Sequence, residues 1–294
     1  MISVKASEGL LDDDILYVTV QGATIGIKGG RIIVHANDED VSYPINKVTT
    51  VNVFGNIGVT TPLIALAGKY GIIINYFNSF GRYRGSFMPE KNTIVAIRRA
   101  QCSLSESVRL KLAKTIVVGK IRNSIYLLEK RGVKCEDRLH DTVADAMVAS
   151  SFDVLLGHEG EAAALYFKHL NLCLSEDWSF EKRTKQPPQD HTNSLMSLTY
   201  VMIKNEVFSA LRQYNLDPYV GIMHADRHGK PSLALDLMEE FRSIFCDSFV
   251  LRLVNRKELH HEDFKLNNHL KEYAFKTYLS KFDDYMKEEL KKER

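Results

Sequence analysis

The chain has 294 residues, 45% hydrophobic and 26% charged, which is enough for one large or two modest globular domains and excludes a disordered or low-complexity protein. Lys plus Arg exceeds Asp plus Glu by 39 − 37 = 2, so any polyanionic partner must be held by a local basic patch and not by the field of the whole molecule. Four cysteines, at 102, 135, 173 and 246, come no closer than 33 positions, which excludes a C-x-x-C metal knuckle or redox pair and fits a reducing cytoplasm. The first residues, MISVKASEGLLDDDILYV, lack a basic region followed by a long apolar run. No stretch approaches the roughly 18 uninterrupted apolar residues of a membrane span, so a soluble, unexported protein is expected.

From about Leu16 to Phe87 the chain runs in short β-branched and apolar segments (ILYVTV, ATIGIKG, RIIVHA, VTTVNVFG, GIIINYF) cut by Gly, Asn and Asp, which predicts strands. Thr60 to Tyr70 is Ala/Leu-rich and long enough for one helix, with Gly71 as its stop. Beyond Met88-Pro89-Glu90-Lys91 the period changes: Leu110, Ala113, Ile116, Val117, Lys120 and Ile121 recur at three and four, predicting a helix. A second begins near Asp190, carries Leu195, Leu198, Met202, Ile203, Val207, Ala210 and Leu211 on one stripe, and ends by Asn215 and Pro218. Ser175 to Asp190 reads as a mobile loop. The segment from Lys281 holds five basic and five acidic residues among fourteen and reads as a solvated helix or frayed tail. The expected fold class is therefore α+β: a small β-rich domain over 1–88 and a larger all-α domain over 89–294.

Three segments carry candidate chemistry. In Leu156-Gly-His-Glu159-Gly160-Glu-Ala-Ala-Ala-Leu-Tyr166-Phe an acidic residue sits between two glycines, read as the head of an Ala-rich helix, where a carboxylate would also offset the dipole. Gly221-Ile-Met-His224-Ala-Asp226-Arg-His228-Gly229-Lys is a Gly-bounded polar loop. In the helix that follows, Ser232 to Arg242, Leu233 and Leu237 mark the buried side, and Asp236 and Glu239 share an adjoining face close to the interior, where a carboxylate needs a cation or a metal. Glu, His and Glu with open water positions suit Mg²⁺ or Mn²⁺ and phosphoryl chemistry. There is no G-x-S-x-G, P-loop or H-E-x-x-H; His260-His261-Glu262 reads as a run of polar residues on the surface. Tyr166 and Tyr200, each on an apolar helix, read as core.

These segments, in this order and with Lys185-Gln-Pro-Pro-Gln-Asp-His-Thr-Asn193-Ser-Leu-Met-Ser197 between them and Gly58-Val-Thr-Thr-Pro-Leu63 before them, closely resemble the universal CRISPR adaptation integrase, the first-numbered Cas protein, over essentially the whole chain. Ala164, where relatives are often basic, and Ser243, where Pro is common, are departures. The resemblance implies a metal held by Glu159, His224 and Glu239, with Asp236 touching the metal or orienting a ligand and Asn193 nearby. It implies a β-rich dimerisation domain, a helical catalytic domain, a homodimer, and a small dimeric companion, the second-numbered Cas protein. The implied reaction is insertion of short duplex DNA into a repeat array by attack of its 3′-hydroxyls, with cleavage of branched or duplex DNA at the same site. Candidate phosphate contacts are Arg82, Arg84, Lys91, Arg98, Arg99, Lys182, Arg183 and Lys185. A metal-dependent phosphodiesterase acting on nucleotides and a non-catalytic DNA-binding subunit are the alternatives.

Overall fold

The computed structural model describes residues 4–5, 14–89, 94–185, 187–225 and 227–292. Lys91 and Asp226 lie outside the described residues. The chain forms two compact units, one of residues 1–93 together with 262–294, the other of 94–261.

The first unit holds two sheets. Strands β1 (Val4–Lys5), β2 (Asp14–Val18), β6 (Val48–Phe54), β8 (Ile73–Phe77) and β9 (Tyr83–Phe87) lie side by side in that order. Strands β5 (Glu39–Pro44), β4 (Arg31–Ala36), β3 (Thr24–Lys28) and β7 (Gly58–Val59) make the other sheet. Pairing is parallel for β2–β6 and β6–β8, and antiparallel at both edges of that sheet. A strand flanked by parallel neighbours and covered on both faces has no polar side, and β6 is correspondingly buried nearly throughout, whereas β4 alternates with Ile32, Val34 and Ala36 inward. In the middle of the larger sheet Asn75 Nδ2 donates to Asn52 Oδ1 at 3.0 Å across the β6–β8 register, while the buried Asn52 Nδ2 has no hydrogen-bond partner among the described residues.

Helix α1 (Thr61–Tyr70) sets Leu63 and Ala67 into the core of Val18, Ile25, Val34 and Val51 and ends at Gly71, which adopts φ 80°. The last helix, α9 (Glu272–Lys292), belongs to this unit. Its Phe275 meets Phe54 edge-on at 5.4 Å, and Tyr278, Phe282 and Tyr285 are buried. The C-terminal segment is thus a helix, as expected, with its outer face partly exposed, but it also has a buried aromatic inner face, and residues 262–294 leave the helical domain to which the 89–294 boundary assigned them.

The second unit is helical: α2 (Val95–Cys102), α3 (Glu106–Lys130), α4 (Asp137–Val148), α5 (Phe152–Leu170), α6 (His191–Gln213), α7 (Ser232–Met238) and α8 (Ser248–Asn255). Ser105, Ser151 and Asp190 cap α3, α5 and α6 by accepting from the backbone N–H three residues on. The Ser151 cap corrects the reading of Glu159 as a helix head: α5 starts at Phe152, so Glu159 sits in its third turn and offsets no dipole. After α7 the helix tightens over Glu239–Phe241 and widens into a π-turn over Arg242–Asp247. Against the reading of 175–190 as a mobile loop, its described residues are anchored to the rest of the unit. Trp178 and Phe180 are buried, Thr192 Oγ1 donates to the Trp178 carbonyl at 2.6 Å, and Asn193 Oδ1 receives Arg183 and the Thr184 N–H.

Candidate active site

Three elements of the helical unit converge on one ammonium. Lys120 projects from α3, whose neighbouring positions Ile116, Val117 and Ile121 are buried. Its Nζ donates to Glu159 of α5 and, at 2.8 Å, to Glu239 Oε2 at the end of α7. The three side chains are only 12%, 21% and 7% exposed, so each charge depends on the others for its compensation. Arg242 adds a second cation: its Nη1 lies 2.9 and 2.8 Å from the two Glu239 oxygens. Burial pushes the Glu239 carboxyl upward, but Lys120 and Arg242 outweigh it, and the net displacement is downward, toward the ionised form.

His224 is positioned separately. Asp236, fully buried, receives the backbone N–H groups of Ile222 and Met223 on Oδ2 at 2.6 and 2.9 Å and that of His224 on Oδ1 at 3.0 Å. Its Oδ1 also lies 2.5 Å from His224 Nδ1. This arrangement fixes the ring with Nδ1 engaged and leaves Nε2 as the nitrogen for a ligand. Gly221 makes the loop possible, since a Cβ there would stand 2.6 Å from the His224 carbonyl oxygen and 2.6 Å from Ser232 Cβ. From the outer side Gln101 Nε2 grips the carbonyls of Asp217 and Val220 at 2.8 and 3.1 Å, and Arg109 that of Ile222 at 3.2 Å. Asp236 and Glu239 therefore serve different partners although they are three residues apart: one holds the loop, the other faces Lys120. Among the described residues no three of His, Cys, Asp or Glu are gathered as a ready metal cage. Two of the expected ligands do converge, and the group at their meeting point is a cation.

Beside the carboxylates opens a cavity of about 250 Å³ lined by Lys120, Glu159, Arg183, Lys185, Tyr200 and Arg242, with Gly160 at its wall. Nothing stands within 4 Å of where a Gly160 Cβ would be, so the missing side chain leaves room and is not there for helix packing. The guanidinium groups of Arg242 and Arg183 lie over the Tyr200 ring at 4.5 and 5.2 Å. Under them Tyr166 and Tyr200 donate to the two oxygens of Asp247 at 2.7 and 2.6 Å, so both tyrosines are core, with their hydroxyls spent inside the protein. Burial pushes the Asp247 carboxyl up to about 6 against the opposing pull of the two phenols. Desolvation and the nearby Arg242 push the Lys185 ammonium down.

The sequence model of the CRISPR associated protein Cas1 family matches residues 16–284. The chain belongs to the Cas1 family. It is 46% identical, over 99% of its length and 84% of the relative's, to CRISPR-associated endonuclease Cas1 4 of Methanospirillum hungatei. A Cas1 protein of Thermotoga maritima superposes with a TM-score of 0.83 at 25% identity, covering 95% of this chain and 94% of that one. Likeness of fold alone extends to a casposase bound to integration product (TM-score 0.80, 20% identity, 92% and 82% covered) and to a Cas6-RT-Cas1–Cas2 complex (0.79, 22%, 97% and 33%).

Of the candidate residues in the sequence of this Cas1-family chain, Glu159 and Glu239 are brought together, and His224 is fixed by Asp236. Asn193 plays a different part, because its Nδ2 donates to the Lys182 carbonyl and to Asp190 and its Oδ1 accepts from Arg183, which ties the preceding segment onto the start of α6. Arg183 is committed to Asn193 and to Ser197 Oγ at 3.1 Å and, with Lys185, lines the cavity. Lys182, Arg98 and Arg99 are exposed and do not line it; Arg82 and Arg84 are exposed in the first unit. His260, His261 and Glu262 are exposed, as expected, and the His261 ring also stacks on Trp178 at 4.2 Å with Nδ1 2.7 Å from that of His191. Lys120, Arg242 and Asp247 are site residues that the sequence does not mark as such. Lys120 lies within the three-and-four stripe, and only the change of helix type after α7 sets 242 and 247 apart.

Proposed function

We propose that this chain is the metal-dependent DNA endonuclease and integrase of CRISPR spacer acquisition, joining the 3′-hydroxyls of a short duplex to repeat phosphodiesters by transesterification. The observation that carries the reading is the convergence of Glu159 and Glu239, from two separate elements, on one cationic point beside a basic cavity. Mg²⁺ or Mn²⁺ fits that donor set, which is hard and anionic, and when bound it supplies Lewis-acid stabilisation of the reacting phosphate and orients the attacking hydroxyl or water. Glu159 and Glu239 would hold it, with His224 as third ligand through Nε2.

The protein's own part is charge and orientation. Arg242 holds Glu239 ionised and fixed in direction. Asp236 keeps His224 in one tautomer and one rotamer. Arg183, Lys185 and Lys120 line the cavity where a phosphate would lie and oppose the charge that builds on its oxygens. The exposed Arg82, Arg84, Arg98, Arg99 and Lys182 would supply sequence-independent contacts to DNA backbone further out. A homodimer formed through the β-rich unit, acting with the small dimeric companion Cas2 in the cytoplasm, completes the reading. It is supported by family membership and by the fold shared with a Cas1–Cas2 assembly and a casposase on its product.

The direct test is cleavage of a branched DNA duplex by the purified protein with Mn²⁺, with Mg²⁺ and with EDTA. Cleavage in either metal, absent in EDTA and reduced about 100-fold or more in Glu159→Gln, is expected. Equal cleavage by wild type and variant would place the chemistry elsewhere.

A further inference from the structure

We infer that Lys120 is a built-in competitor for the divalent ion, pairing the two metal-binding carboxylates until the ion takes its place and then turning its ammonium into the adjoining cavity toward phosphate. The inference rests on the metal reading above. Glu159 and Glu239 sit on different elements, and with no cation between them two largely buried carboxylates would repel each other and lack compensation. Lys120 and Arg242 balance them: two negative charges against two positive. A divalent ion entering at the same point brings two further positive charges to a position already held by an ammonium, and both cannot share it. Arg242 is pinned by the Tyr200 ring and by Glu239, but Lys120 hangs on a flexible four-carbon stem. It also lines the cavity of about 250 Å³, where the space beside Gly160 is open. The ammonium can therefore vacate the carboxylates without movement of α3. The loaded site, two units more positive, is then matched to an incoming phosphodiester.

The test is a Mn²⁺ titration followed by EPR on the full-length protein, with thermal unfolding alongside, for wild type, Lys120→Met, Lys120→Arg and Glu159→Gln. Lys120→Met is expected to bind Mn²⁺ about ten-fold more tightly than wild type, whereas Lys120→Arg, which keeps the charge, stays within about two-fold. Without metal, Lys120→Met should melt below wild type, and saturating Mn²⁺ should abolish that deficit, because the ion replaces the lost ammonium. A Lys120→Met protein that binds Mn²⁺ no better than wild type, or whose deficit persists at saturation, would make Lys120 a merely structural partner and overturn the inference. If Glu159→Gln leaves Mn²⁺ affinity unchanged, the ion does not sit on this carboxylate, and it is the metal reading that falls, taking this inference with it.

Discussion

At the scale of single residues, the site is governed by buried charges that depend on their partners for compensation. Asp236 accepts three backbone N–H groups and the His224 imidazole, so Asp236→Ala should leave them without a buried acceptor and cost about 3–5 kcal/mol. Asp236→Asn keeps the shape but not the charge; circular dichroism should show a folded protein whose DNA cleavage falls about 10- to 100-fold. Asp247 gives a pH-dependent prediction. Its carboxyl is raised from 3.8 to about 6, so the folded state holds that proton more tightly than the unfolded chain does. The stability this group contributes is full below its ordinary value and lost as pH rises through about 6. Tyr166→Phe removes one of the two hydrogen bonds that sustain the ionised form. Urea denaturation should show a loss of about 1.5–3 kcal/mol at pH 8, where the bond is to a charge, and of about 1 kcal/mol at pH 5. Equal losses at both pH values would mean that Asp247 does not titrate there. The segments that hold Glu159, His224 and Glu239 could be picked out because polar residues among glycines or leucines are conspicuous, but the choice of these three within them came from the resemblance to the family. Lys120 could not be, since a lysine in a three-and-four stripe looks the same whether its stem reaches solvent or its ammonium meets two carboxylates.

At the scale of elements, the long periodic helices and the β-branched strands were legible, because burial on one face or on two imposes the pattern directly. The structure bears out α1, with its Gly71 stop, and α6, with its Asp190 cap. β5, with the sequence Glu-Asp-Val-Ser-Tyr-Pro, was not legible: it is an edge strand that keeps much of its surface in water, and its pairing with β4 supplies what its side chains do not. The start of α5 was misplaced because Gly157 and Gly160 look like a helix boundary, whereas the Ser151 cap lies earlier and the glycines are tolerated inside the helix. The loop 221–225 depends on one glycine. In Gly221→Ala the new methyl would press on the His224 carbonyl and on Ser232, with Asp236 Oδ2 3.3 Å away. Thermal unfolding should show destabilisation of about 1–3 kcal/mol, and cleavage should fall by more than that loss of folded protein explains, because Asp236 and His224 move with the loop.

At the scale of the whole molecule, the DNA binding proposed for a near-neutral chain would have to rest on local positive charge, and affinity for a duplex should fall steeply with salt, by roughly one power of concentration for each phosphate neutralised. The division into a β-rich and a helical part could be read from the change of period near residue 90. The return of residues 262–294 to the first unit could not, because an amphipathic helix rich in Lys and Glu does not announce which partner its Phe275, Tyr278 and Phe282 will meet. The measurement that bears most directly on the proposed integrase is joining of a fluorescent duplex with free 3′-hydroxyls into a supercoiled plasmid carrying a repeat. It compares wild type with His224→Ala in Mg²⁺ or Mn²⁺, with and without the small companion protein, while DNA binding is followed in parallel. Metal-dependent joined product is expected from wild type, and from the variant none, although it binds DNA as wild type does. A folded wild-type protein that binds DNA yet joins none under all of these conditions, or a variant that joins as well as wild type, would contradict the integrase reading.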